Sequence, residues 1–141
     1  GEVNSKLPEN VVEQTVTALN DRGVAAKGAK VMVLGIAYKK DVDDVRESPA
    51  IRIINLLRRR GVEVSYNDPH VPRLSETRSG KVYLDSTPLT PDTLRAVDAV
   101  LIVTAHSAYD YRMITENAPL VIDSRNACKG IQAAPGRILK V

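Results

Sequence analysis

Lys30-Val31-Met32-Val33-Leu34-Gly35-Ile36 is an apolar run with the length of a strand and no polar alternation. A strand buried on both faces of a parallel sheet reads this way. After a polar loop, Ser48-Pro49 has the chemistry of a helix N-cap and first turn, Ala50, Ile51, Ile54 and Leu57 line one face, and Gly61 supplies a left-handed stop. Val62, Val64 and Tyr66 then alternate into a second strand, ended by Asp68-Pro69. Residues 30–67 thus predict one strand-helix-strand unit, whose crossover is right-handed.

Upstream, Asn4 or Ser5 offers a cap and Pro8 a first turn, Val12, Val16 and Leu19 recur at helical spacing, and Gly23 ends the helix. So abrupt a start suggests a piece cut from a longer chain whose helix continued from something N-terminal. Downstream, 70–80 is polar and rich in Pro, Ser and Arg, and 81–84 is a short third strand. Thr90 and Pro91 open a helix running through Val97, 99–104 is a buried strand, 109–117 is helical, 120–122 is a strand, and 137–141 closes the chain as the last one. The alternation predicts a Rossmann-like, doubly wound α/β fold with about six mostly parallel strands in the order 3-2-1-4-5-6. Its ligand crevice lies outside the C-terminal ends of the first and fourth strands.

The 141 residues amount to one domain, and 43% apolar with 26% charged residues excludes a disordered chain. Twenty Lys and Arg against seventeen Asp and Glu leave a net charge of +3, and there is no Phe or Trp on which bases could stack, so nucleic acid is not an expected partner. Arg58-Arg59-Arg60 closes a predicted helix, where cations complement the dipole. One cysteine and two distant histidines give neither a disulfide framework nor metal-ligand spacing, which points to a reducing, cytoplasmic setting. The apolar stretches 31–37 and 99–103 fall far short of the about 20 residues of a membrane span, so no membrane partner is expected.

In such a sheet the loop after the first strand faces the ligand. Here it is Gly35-Ile36-Ala37-Tyr38-Lys39-Lys40-Asp41-Val42-Asp43-Asp44-Val45-Arg46-Glu47-Ser48, which is no dinucleotide fingerprint: a single glycine is present and bulky residues fill the turn. Asp68 ends the second strand, where a ribose-binding acid would sit, but without the glycines NAD binding is not expected of this chain. Cationic side chains can hold a phosphate that the backbone cannot approach. Lys39 is the first candidate, and Arg125 in Asp123-Ser124-Arg125-Asn126, at the end of another strand, faces it across the crevice, while Lys40 points elsewhere. Asp44 and Arg46 pair with each other, His106 caps or completes a hydrogen bond, and Cys128, with no histidine near it in sequence, is a bystander. No nucleophile-base pair and no acid-base pair of carboxylates is evident, so no catalytic residue is assigned.

The stretch 35–49, followed by Tyr66-Asn67-Asp68-Pro69 and Asp123-Ser124-Arg125-Asn126, resembles the C-terminal domain of the UDP-glucose/GDP-mannose dehydrogenases, and the opening residues 3–12 resemble the start of their central helix. That resemblance implies an NAD-dependent enzyme oxidising the C6 alcohol of a nucleotide sugar to a carboxylate with two NAD through a cysteine thiohemiacetal. It implies a division into a central-helix segment, 1–27, which pairs two copies as a homodimer, and a UDP-sugar-binding domain, 28–141. Tyr38 and Lys39 would contact the uridine diphosphate end and Arg125 would reach the substrate from across the crevice. The glycine-rich NAD loop and the G-G-x-C nucleophile segment of the family are absent from these residues, Cys128 does not match the latter, and the chain alone is expected to be inactive. The segments 105–111 and 123–127 look more like the members acting on UDP-N-acetylhexosamines. The reading from another class is an autonomous Rossmann-like regulatory or interaction module that binds a nucleotide without reaction.

Overall fold

The computed structural model describes residues 7–46, 48–77 and 80–141. Helix α1 (Pro8–Asp21) is followed by strand β1 (Lys30–Leu34), helix α2 (Pro49–Arg59) and strand β2 (Glu63–Asn67). Next come β3 (Arg73–Thr77), β4 (Gly80–Asp85), α3 (Pro91–Arg95), β5 (Ala99–Ile102), α4 (Tyr111–Asn117), β6 (Val121–Asp123) and β7 (Ile138–Lys140). Five strands form one sheet in the order β2-β1-β5-β6-β7, and each neighbouring pair is parallel. The order reverses between β1 and β5, which makes that junction the topological switch point.

Alternation along the strands divides the core. Val31, Val33, Leu101 and Ile122 pack with α1 and α2 on one face, and Met32, Leu34, Val100, Ile102 and Val121 pack with Leu94 of α3 and Ile114 of α4 on the other. Chain punctuation is as the residues dictate. Ser48 accepts from the Ala50 N–H at the start of α2, and Thr90 and Thr93 form a reciprocal capping box at α3. At the end of α2, Gly61 takes φ +86°. Asn4 and Ser5, read as caps for α1, lie outside the described residues, and Leu7 holds the N-cap position with no side-chain hydrogen bond.

The doubly wound class holds, but the expected outermost strand is not in the sheet. Residues 81–84 belong to β4, which pairs antiparallel with β3 as a separate two-stranded unit. The order 3-2-1-4-5-6 is therefore corrected to a five-stranded sheet flanked by a hairpin. The hairpin adjoins β2 through the Thr87 N–H, which donates to the Tyr66 carbonyl at 2.7 Å, and it buries Leu74 and Val82 against the α2 side of the core.

The α1 stripe covers its own chain: Val11, Val12 and Leu19 are buried and α1 packs on α2. Arg52 in the first turn of α2 and Arg60 at its basic end reach back to Glu9 and Glu13 of α1. These pairs are exposed, and exposed pairs contribute little. Among the described residues no helix is long and apolar enough to cross a membrane.

Candidate functional site at the switch point

Strand ends β1, β5 and β6 deliver three loops to one edge of the sheet, 35–48, 103–110 and 124–130. Gly35 opens the first with φ +88°, in contact with Thr104 at the end of β5. Its N–H donates to the Asn67 carbonyl at 3.0 Å, and the Thr104 hydroxyl donates to the Ala37 carbonyl at 2.7 Å. The long turn is thus tied to both neighbouring strand ends.

Asp68 holds the turn from below. Its Oδ2 accepts the Ile36 N–H at 2.7 Å and the Ala37 N–H at 3.1 Å, and its Oδ1 accepts the His70 N–H at 2.8 Å. The same Oδ2 lies 2.8 Å from His106 Nε2, and both side chains are fully buried. The other ring nitrogen of His106, Nδ1, accepts the backbone N–H of Asp41 at 2.8 Å. Asp41 stands at φ +63°, and its carboxylate takes the Ser107 N–H and hydroxyl, each at 2.7 Å. Those two donors, the backbone N–H foremost, lower the Asp41 carboxyl below the ordinary carboxylate range. Asp44 and Arg46 form the expected pair, with two side-chain hydrogen bonds at 3.0 and 2.9 Å, and Arg46 holds Asp44 down at about 2.

Across the gap, Asp123 organises the third loop by accepting the N–H groups of Arg125, Ala127 and Cys128 at 2.8–3.0 Å. Arg125 is exposed, and its guanidinium takes no hydrogen bond or ion pair among the described residues. Cys128 is buried, and burial, reinforced by Asp123, pushes its thiol up to about 12. A thiol so protonated is a poor nucleophile, which fits a packing role.

Between these loops lies an open cavity of about 470 Å³, lined by Lys40, Ala105, His106, Ser107, Tyr111, Arg125, Asn126 and Ala127. The cation that lines the cavity with Arg125 is Lys40, the residue expected to point elsewhere, and Lys39 is not among the lining residues. Lys39 is exposed, its ammonium 5.8 Å from the centroid of the Tyr38 ring, and Tyr38 is 48% exposed. Lys40 immediately precedes the left-handed residue Asp41, φ +63°. Tyr111, which donates its hydroxyl proton to the His106 carbonyl at 2.9 Å, was read as a helix residue and also lines the cavity.

Asp41, His70 and His106 offer ligand atoms within 4.8 Å of one another. The Asp41 oxygens and His106 Nδ1 already take hydrogen bonds, and among the described residues His70 Nε2 is the buried side-chain polar atom without a partner. A metal ion there would have to displace the Asp41 N–H.

The sequence model for the UDP binding domain of the UDP-glucose/GDP-mannose dehydrogenase family matches residues 32–130. A UDP-glucose 6-dehydrogenase of Rickettsia conorii is 32% identical over 131 residues, covering 87% of this chain and 29% of the relative. A UDP-N-acetyl-D-mannosamine dehydrogenase of Methanococcus maripaludis is 30% identical over 108 residues, 77% of this chain and 23% of its own length. The solved NDP-N-acetyl-D-galactosaminuronic acid dehydrogenase of Methanosarcina mazei is 26% identical with a TM-score of 0.73, over 95% of this chain and 28% of that one. The chain thus spans under a third of the length of these relatives. Its matched residues carry β1, the 35–48 loop, β5, β6 and the Asp123–Asn126 turn, and on that match the chain belongs to the UDP-glucose/GDP-mannose dehydrogenase family, as its UDP binding domain.

Proposed function

We propose that this chain holds the uridine diphosphate half of a nucleotide sugar at the switch point, within an NAD-dependent dehydrogenase that oxidises the sugar C6 alcohol to a carboxylate. The observation that carries the reading is the cavity at the ends of the parallel strands, which Lys40 and Arg125 both line and whose walls are pinned from beneath. Two cations on one gap suit a diphosphate, and Arg adds a planar fork of donors for phosphate oxygens. Tyr38 and Lys39, exposed on the same loop, are proposed as contacts to the uridine end on the strength of the family motif.

The nicotinamide step and the thiol step belong to segments other than these residues, since the chain has neither a glycine-rich loop nor a G-G-x-C segment and Cys128 is held as a buried thiol. NAD is therefore proposed for the whole enzyme and not for this cavity. The nucleotide half is common to the glucose and N-acetylhexosamine relatives. The segments 105–111 and 123–127 favour an N-acetylhexosamine as the sugar. A homodimer is proposed through faces of α1 other than Val12 and Leu19, which are covered by their own chain.

Calorimetric titration with UDP, UMP and NAD tests the reading. UDP binds most tightly, UMP more weakly for lack of the second phosphate, and NAD weakest because no glycine loop admits its pyrophosphate to a helix N-terminus. Equal affinities for UDP and NAD, or no heat with UDP up to millimolar concentration, would overturn it.

A further inference from the structure

His106 is a fully buried imidazole with a defined partner on each nitrogen, and the chemistry proposed above leaves it unused. A backbone N–H can only donate, so the Asp41 N–H requires a lone pair on Nδ1, and the single proton of the neutral ring must sit on Nε2. There it is donated to Asp68 Oδ2 at 2.8 Å, which completes a chain of contacts from the end of β2 through the ring to the tip of the 35–48 loop. Asp68 is itself fixed by the Ile36 and Ala37 N–H groups at the root of that loop. The carboxylate thus grips the base of the loop directly and its tip through the imidazole.

The tip matters because Asp41 directly follows Lys40. With Asp41 held at φ +63° by His106 on its N–H and by Ser107 on its carboxylate, Lys40 is brought to the cavity lining. The remaining surroundings of the ring are His70, edge-on at 4.7 Å between centroids, Tyr109 at 5.8 Å, and the Asp41 carboxylate with Oδ1 3.8 Å from Nδ1. None of them supplies another acceptor to the Asp41 N–H.

We infer that His106 is a positioning residue for the diphosphate site: Asp68 holds it as the Nε2–H tautomer, so that its Nδ1 lone pair anchors the Asp41 backbone and sets Lys40 at the cavity. It does not touch the ligand to do so. The inference rests on the proposed UDP site for its binding readout alone, because the tautomer and the anchored amide are properties of the unliganded chain.

The test has three readouts on the 141-residue chain. Nitrogen-15 shifts of the imidazole, assigned by their loss in His106→Asn, report a protonated Nε2 and an unprotonated Nδ1. The Asp41 amide exchanges slowly in the wild type. Binding of UDP then separates two variants of similar polarity: the amide oxygen of His106→Asn stands near the position of Nδ1 and can accept the Asp41 N–H, whereas His106→Gln reaches toward Asp68 and leaves that N–H without an acceptor. Retained amide protection and near wild-type UDP affinity in His106→Asn, against lost protection and about tenfold weaker binding in His106→Gln, is the expected result for one hydrogen bond. An Nδ1–H tautomer, a fast-exchanging Asp41 amide in the wild type, or equal UDP affinities in the two folded variants would overturn the inference. Absence of UDP binding by the wild type, with the tautomer and the protected amide both present, would sink the proposed ligand instead and leave the anchor standing.

Discussion

A Cβ built on Gly35 would stand 2.4 Å from the carbonyl oxygen of Thr104 and 2.5 Å from its Cβ, so the ends of β1 and β5 approach to a distance that no side chain on residue 35 allows. With φ at +88° besides, Gly35→Ala combines left-handed strain with overpacking, and each costs about 1–3 kcal/mol. The variant should lose about 3 kcal/mol or more in urea unfolding, and a loss under about 1 kcal/mol would mean that the two strand ends can part freely.

Lys40 and Arg125 line the cavity and Lys39 does not. A charge-assisted hydrogen bond contributes about 1.5–3 kcal/mol, so Arg125→Ala and Lys40→Ala should each weaken UDP by about tenfold or more with unfolding midpoints unchanged. Lys39→Ala should do less. The reverse ranking of the two lysines in the same titration would return the diphosphate contact to Lys39.

Raised pKa values make the fold sensitive to alkali. Burial pushes the Tyr66 and Tyr111 hydroxyls up to about 12 from 10.0, and burial with Asp123 pushes the Cys128 thiol up to about 12 from 9.0. The folded chain keeps these protons where the unfolded chain releases them, so the stability they contribute is full below about pH 9 and is lost as pH rises toward about 12. Urea midpoints should therefore fall steadily across that window, and iodoacetamide should label Cys128 at the rate of global unfolding.

Incubated with a UDP-sugar and NAD, the 141 residues should yield no NADH above a blank. Cofactor reduction that disappears in Cys128→Ala would overturn the assignment of the thiol as a packing residue.

Leu19 is completely buried where α1 meets the α2 face. Leu19→Ala should cost about 2–5 kcal/mol in urea unfolding if α1 is an integral layer of this fold. A change near zero would make α1 an appendage that docks only weakly.

Where sequence alone sufficed, the information was local. Ser48-Pro49, Gly61 and Thr90-Pro91 mark helix ends by their own chemistry, and the unbroken apolar runs at 31–34 and 99–102 have the length and continuity of strands in the middle of a parallel sheet. Strand β3 was illegible because Arg73 and Ser75 face water and Leu74 is its one buried apolar residue, so it carries no alternating pattern and depends on pairing with β4. The division between Lys39 and Lys40 was illegible for another reason. Asp41 is set by His106 and Ser107, 65 and 66 residues away, and no spacing within the motif encodes those contacts.

In a dinucleotide-binding turn, the backbone N–H groups just past the first strand wait for the pyrophosphate of a guest. Here the Ile36 and Ala37 N–H groups are already taken by the Asp68 carboxylate, an anion that the chain carries within itself. The innermost berth is thus permanently filled, and a visiting phosphate is displaced one layer outward, to side chains at the rim. A dock built this way stands complete before its cargo arrives, and what it recognises can be altered at the rim without disturbing the keel beneath.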